Sequence, residues 1–189
     1  MRSLAGRPDL CAINTATLGF QTSIGETVEA IARHGFGGIS PWRREIEPGD
    51  VVQIARQIRD AGLKVPSYCR SNFIPAMSTA QFRTNVEDNK RAIRDAATLG
   101  AVCFVMVVGG LAEGSKSLKL ARTQVEDAVA ELLTFGREHG VHISLEPLHP
   151  VYAADRCLIA QRRGVDRAKI GPAGETAHPL RLSSRRKAH

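Results

Sequence analysis

The sequence predicts an α/β protein made of parallel (β/α) units, incomplete at about five strands and four helices, followed by an irregular basic tail. Three observations carry this. Four segments, HGFGGISPW, AGLKVPSYC, LGAVCFVMVVGG and HGVHISLEPL, each place a glycine after a helix-like stretch and a short apolar run after the glycine. The stretches in front of them open with capping residues. Their apolar positions then recur at helical spacing.

The first run, LCAINTATLGF, is read as a strand and has no helix before it. The first helix opens at the capping box Ser23-Ile-Gly-Glu26, places Ile24, Val28 and Ile31 on one face, and stops at Gly35. The second opens at Asp50 with Gln53 three residues on, repeats at Val51, Ile54 and Ile58, and stops at Gly62. The third opens at Ser78-Thr-Ala-Gln81 with Phe82, Val86 and Ile93, and stops at Gly100. The fourth carries Val125, Val129 and Leu132 and stops at Gly140. Short buried strands alternating with helices imply parallel pairing by right-handed crossovers. Closure is open at this point between a (β/α) barrel that stops early and an open doubly wound sheet.

Composition narrows the class. Hydrophobic content of 43% with 24% charge describes a globular chain, and no apolar run approaches the roughly 18 residues of a membrane span. The start, MRSLAGRPDL, lacks an apolar signal core, so a cytoplasmic protein with no membrane partner is expected. Cys11, Cys69, Cys103 and Cys157 form no C-x-x-C pair and read as buried thiols. The net charge of +7 is unevenly spread: residues 1–156 hold 18 Lys/Arg against 17 Asp/Glu, and residues 157–189 hold 8 against 2. The body is therefore nearly neutral, and nucleic acid is not the expected partner. The domains read as 1–156 and a tail, 157–189. The tail's Arg, Ala, Gly and Ser richness matches out-of-frame translation of GC-rich sequence, with a genuine polyanion-binding tail as the rival reading.

In either architecture the carboxyl ends of the strands carry the chemistry. Those ends present Asn14 and Thr15, Trp42 and Arg43, Cys69 and Arg70, Gly109 and Gly110, and Glu146 with His149. A polar set with one aromatic wall suits a polyhydroxylated small molecule. Asn14, Trp42, Arg70, Gly109 and Gly110 are the candidate substrate-binding residues, Glu146 and His149 the candidate catalytic ones. A carboxylate in an apolar strand is costly without a cation, a metal or donors, so Glu146 reads as a ligand or base. An ion pair with Arg70 would satisfy it as well. His34 and His139 precede helix-ending glycines and read as structural. GGLAEGSKS (109–117) misses the phosphate-loop pattern by one residue, because Ser115 stands where Lys is required. A looser role for its backbone amides and Lys116 near a substrate oxyanion stays open beside a plain connecting loop.

The succession NTATLG, GISPWR, SYCRSN, VMVVGG with AEGSK, and SLEPLHPVYAADR resembles the xylose isomerase-like TIM-barrel proteins, and more narrowly the sugar phosphate isomerase/epimerase family. The resemblance runs over residues 11–156 in consistent order. It implies an eight-stranded barrel around a divalent metal (Mn, Mg, Co or Zn), with Glu146 as first metal ligand and a proton-transferring carboxylate. It also implies a sugar or sugar phosphate substrate deprotonated beside its carbonyl through an ene-diolate. The Asp or Glu, His and Glu expected from later strands have no matching context. Asp166, Glu175 and His178 follow no strand-like run, so metal binding and catalysis by this chain are expected to be weak. The histidines that would point to apurinic-site endonucleases, which share the barrel, are missing from the ends of the first four strands. A non-catalytic α/β protein binding a small molecule or polyanion is the alternative. An uncovered half-barrel edge opens a route to homo-oligomers.

Overall fold

The computed structural model describes residues 4–149, with Val151 and Leu158. The expected boundary at 156 and the tail, Leu158 apart, lie outside the described residues, as do Asp166, Glu175 and His178. Five strands alternate with helices as expected: β1 (Ala12–Asn14), α1 (Ile24–Arg33), β2 (Gly38–Ser40), α2 (Arg43–Ile46), α3 (Val51–Asp60), β3 (Ser67–Cys69), α4 (Thr79–Leu99), β4 (Cys103–Met106), α5 (Leu118–Glu138) and β5 (His142–Leu145). The short α2 brings the described helices to five. It was not legible in the apolar pattern, because one turn has no periodicity to read. The first apolar run also shortens: Thr15–Leu18 turns into a 3-10 helix directly after β1.

Each expected helix start is built as its side chains dictate. The Ser23 hydroxyl accepts from the Glu26 N–H at 3.3 Å while Glu26 accepts from the Ser23 N–H at 2.9 Å, closing the capping box on α1. Asp50 accepts from the Val52 and Gln53 N–H groups at 2.8 and 3.2 Å, and Ser78 from Gln81 at 3.2 Å. The four helix-ending glycines hold φ between 69° and 75°, the left-handed conformation a Cβ disfavours.

The chain forms two compact units. Among the described residues, one takes in 4–71 with Lys90–Met106 and Phe135–Ser144; the other takes in Asn72–Asn89, Val107–Thr134 and 145–149. The first holds the strands, Leu145 apart. β1 pairs parallel with β2, Asn14 opposite Ser40, and β3 pairs parallel with β4, Cys69 opposite Val105. β5 follows β4 in the sheet order. Isolated parallel bridges, Gly38 to Lys64 and Trp42 to Cys69, link the β2 and β3 segments. Strand neighbours thus follow chain order, as expected for successive (β/α) units. β2 is buried throughout, whereas β1 and β5, each with one strand neighbour among the described residues, retain exposed positions.

Alternation sends Ile39, Tyr68, Phe104 and Met106 into the core, all fully buried. Ser40 and Ser67 share a hydroxyl hydrogen bond of 3.0 Å. Cys11, Cys69 and Cys103 are free thiols. A charged group adjoins the Tyr68 side. Arg43 is only 7% exposed and donates from Nε to Glu47 at 2.6 Å, and Arg91 lies 3.4 Å from the same carboxylate. Burial holds the Tyr68 hydroxyl well above its ordinary range, and the Asp95 and Glu47 carboxylates push the same way.

Two stability predictions arise here. The Tyr68 hydroxyl is buried without a hydrogen-bond partner among the described residues, so Tyr68→Phe is expected to raise unfolding free energy by about 1 kcal/mol in urea titration; a comparable loss would show that the hydroxyl is bonded. Burial raises the Asp95 carboxyl above its unfolded value of 3.8, outweighing Arg91. Its stabilising contribution is therefore complete below that pH and is lost as pH rises through the folded value. Asp95→Asn is expected to be the more stable protein at pH 7, with the advantage shrinking on acidification. Parallel pH curves for the two proteins would refute this origin.

Candidate functional site

In the first unit, the ends of β1 and β2 are tied together through Trp42. The Asn14 Oδ1 accepts from the Trp42 indole N–H at 2.8 Å and from the Ala16 N–H at 3.1 Å, the latter because Asn14 caps the 3-10 turn. Trp42 donates its backbone N–H to Glu45 at 3.1 Å, and the same carboxylate oxygen accepts from the Thr15 hydroxyl. Phe20 stands edge-on to Trp42, ring centroids 5.9 Å apart, and the Arg44 guanidinium lies over the Phe20 ring at 4.3 Å. Of the expected residues, the structure brings Asn14 and Trp42 into direct contact. Arg70, half-buried, follows Cys69, the bridge partner of Trp42, across a cis peptide bond.

The second unit organises the segment after Ser71. Asn89, fully buried on α4, accepts from the Asn72 N–H at 2.9 Å and donates to Asn72 O at 3.2 Å and Asn85 O at 2.9 Å. Asn85 donates to Ile74 O at 3.2 Å, and Gln124 of α5 pairs with both backbone groups of Ala76 at 3.0 Å. Side-chain amides thus satisfy alternate residues, 72, 74 and 76, as a neighbouring strand would. Ile74 also donates to Val108 O at 3.0 Å.

Gly109 and Gly110 lie buried beyond β4. Gly109 has φ 92°, and a Cβ there would stand 2.6 Å from that of Phe73, so this position needs glycine for packing. Its carbonyl accepts from the Leu158 N–H at 2.9 Å. In the 109–117 loop, Ser115 accepts from the Ser117 N–H and Ser117 from the Leu120 N–H, each at 3.2 Å, so the serines serve the loop and the start of α5. Glu146 and His149 follow β5 and are exposed. The Glu146 carboxylate has no hydrogen bond or ion pair among the described residues, and His149 Nδ1 accepts from the Val151 N–H at 3.2 Å. His139 is tied to Phe135 O at 2.8 Å, a structural arrangement.

Sequence reading missed Phe20, Arg44 and the amide clamp. A signal existed for Asn89, a polar residue on the helix stripe of Phe82, Val86 and Ile93, where only a satisfied amide belongs. Phe20 gave no such signal. Among the described residues, no three His, Cys, Asp or Glu side chains group to hold a metal ion, and no helix is long and apolar enough to cross a membrane.

Asn89→Ala is expected to cost about 2–3 kcal/mol, since it removes a fully buried amide and its hydrogen bonds to Asn72 and Asn85, and to speed amide exchange selectively at Asn72. A loss under 0.5 kcal/mol, on the order of an exposed substitution, would show that the clamp is dispensable.

Residues 28–183 match the family described as xylose isomerase-like TIM barrel. The structure resembles protein SMc04130 from Sinorhizobium meliloti 1021, at 38% identity and TM-score 0.77, over 81% of this chain and 56% of that one. It also resembles D-psicose 3-epimerase from Clostridium cellulolyticum H10, solved with D-tagatose, at 12% identity and TM-score 0.69, over 84% and 58% of the two chains. The IOLI protein, solved with a bound zinc atom, matches at 18% identity and TM-score 0.63, over 78% and 53%. The chain thus spans little more than half the length of these solved relatives. No curated protein matches its sequence.

Proposed function

The chain belongs to the xylose isomerase-like TIM-barrel family, and from that premise we propose that it is the N-terminal part of a cytoplasmic sugar or sugar phosphate isomerase or epimerase. Residues 1–156 form the barrel portion and 157–189 a basic tail. The observation that carries the reading is the placement of Asn14 at the end of β1, Trp42 just past β2, Arg70 just past β3 and Glu146 just past β5. Parallel (β/α) proteins do their chemistry there.

In the proposed reaction Glu146 takes the proton from the carbon beside the sugar carbonyl, and the electron pair forms an ene-diolate. A proton supplied to the opposite face of that carbon by a second donor gives the epimer; delivery of the proton from Glu146 to the neighbouring carbon gives the isomer. Asn14, Trp42 and Arg70 bind the sugar, and His149 assists proton transfer. Gly109 and Gly110 contribute backbone at the end of β4.

A divalent metal is part of the family resemblance, and the described residues do not fit one. Glu146 and His149 offer two donors, against four for zinc and six or more for harder ions. No step is therefore assigned to a metal. EDTA and added Mn2+ are each expected to leave the melting temperature of this chain unchanged. Strands β1 and β5, each with one strand neighbour among the described residues and with exposed positions, also support self-association, which light scattering would detect as a dimer mass.

The test of function is proton exchange. Incubated with D-fructose in D2O, the chain is expected to show slow loss of the proton beside the carbonyl by NMR. Glu146→Gln should reduce that rate by about 100-fold or more. Exchange equal to that of buffer, or unaffected by Glu146→Gln, would overturn the assignment of Glu146 as base.

A further inference from the structure

We propose that Arg44, stacked on Phe20 beside Trp42 and Asn14, makes this rim select sugars that carry an anionic group, a phosphate or a carboxylate. The inference rests on the sugar reading above and names the substrate class for that site. It starts from a backbone outlier. Phe20 has φ 55°, directly after Gly19 at φ 73°, so two successive residues are left-handed, the second against the preference of any residue with a Cβ. Such strain persists only where surroundings enforce it, and it concentrates at functional positions.

What the strained residue holds is specific. The Phe20 ring meets the edge of Trp42 at 5.9 Å and takes the Arg44 guanidinium on its face at 4.3 Å. A guanidinium stacked on a ring keeps its N–H donors in its own plane, available to a planar or tetrahedral anion. Stacking also limits the side chain's motion, so less entropy is lost when an anion binds.

The charges around Arg44 favour this use. Arg7 pairs with Asp9, and Arg43 and Arg91 share Glu47, whereas Arg44 has no carboxylate partner among the described residues. Its neighbour Glu45 is committed to the Thr15 hydroxyl and the Trp42 N–H. Asn14 spends its oxygen on the indole. Arg44 is thus an exposed cation fixed by a ring, at the strand ends where the sugar is proposed to bind.

Trp42 is the sole tryptophan of the chain, so intrinsic fluorescence reports on this cluster. The full chain is titrated with D-fructose, D-fructose 6-phosphate, D-glucuronate and inorganic phosphate. Either charged sugar is expected to change the emission at a concentration at least about tenfold lower than D-fructose, the size of one charged hydrogen bond. The charged sugar that does so identifies the anion as phosphate or carboxylate. Arg44→Gln, exposed and outside the core, should remove the preference while leaving the response to D-fructose intact. Arg44→Lys should retain only part of it. Equal responses to neutral and charged sugars overturn the proposal and leave the sugar reading standing. Inorganic phosphate matching the charged sugars, with D-fructose silent, overturns both.

Discussion

The hydrogen bond from the Trp42 indole to Asn14 is the contact on which the strand ends of the first unit depend. It joins the last residue of β1 to a residue just beyond β2, and Trp42 is at the same time the bridge partner of Cys69 at the end of β3. One residue therefore sets the spacing of three successive strand ends. The parallel register makes this possible, because Asn14 sits opposite Ser40 and leaves Trp42 two residues further along. A register shift of one would turn the alternate side chains to the other face and separate the pair.

The second unit solves a different problem by different means. The segment after β3 leaves regular pairing, yet Ile74 and Ala76 are buried. Buried backbone groups must be bonded, and here Asn85 bonds Ile74 and Gln124 bonds Ala76, while Asn89 bonds the backbone of Asn72. Amides suit this task because each offers both donor and acceptor, as Gln124 does toward Ala76. Helix α4 therefore carries Asn89 at a fully buried position, and Asn85 and Gln124, which play the same part, are half-buried. Gly109 is the complementary device, a missing side chain whose place is taken by Phe73.

These two solutions explain what could and could not be read from sequence. Helix starts at Ser23, Asp50 and Ser78 were legible because capping is local, decided within three or four residues. The ends at Gly35, Gly62, Gly100 and Gly140 were legible for the same reason. Strand order followed from the alternation of elements. The Phe20 conformation was not legible, since its stabilising contacts come from Trp42 and Arg44, more than twenty residues away. Asn14 and Trp42 were recognisable as strand-end residues, but their mutual hydrogen bond depends on register, which composition does not encode.

Glu146 shows how much burial decides. Within an apolar run its carboxylate promised a costly, partnered group, yet Glu146 is exposed, following a strand that has one neighbour among the described residues and alternate exposed positions. An exposed carboxylate is surrounded by water that competes for its lone pairs, and proton abstraction beside a carbonyl gains from excluding that water. The same residue beneath a covering element would lose its hydration and become a stronger base. The strength of Glu146 as the proposed base would thus be governed less by its own position than by its exposure to water. The slow exchange expected under the proposed reading expresses that dependence: the proposed base stands just past β5, exposed to solvent.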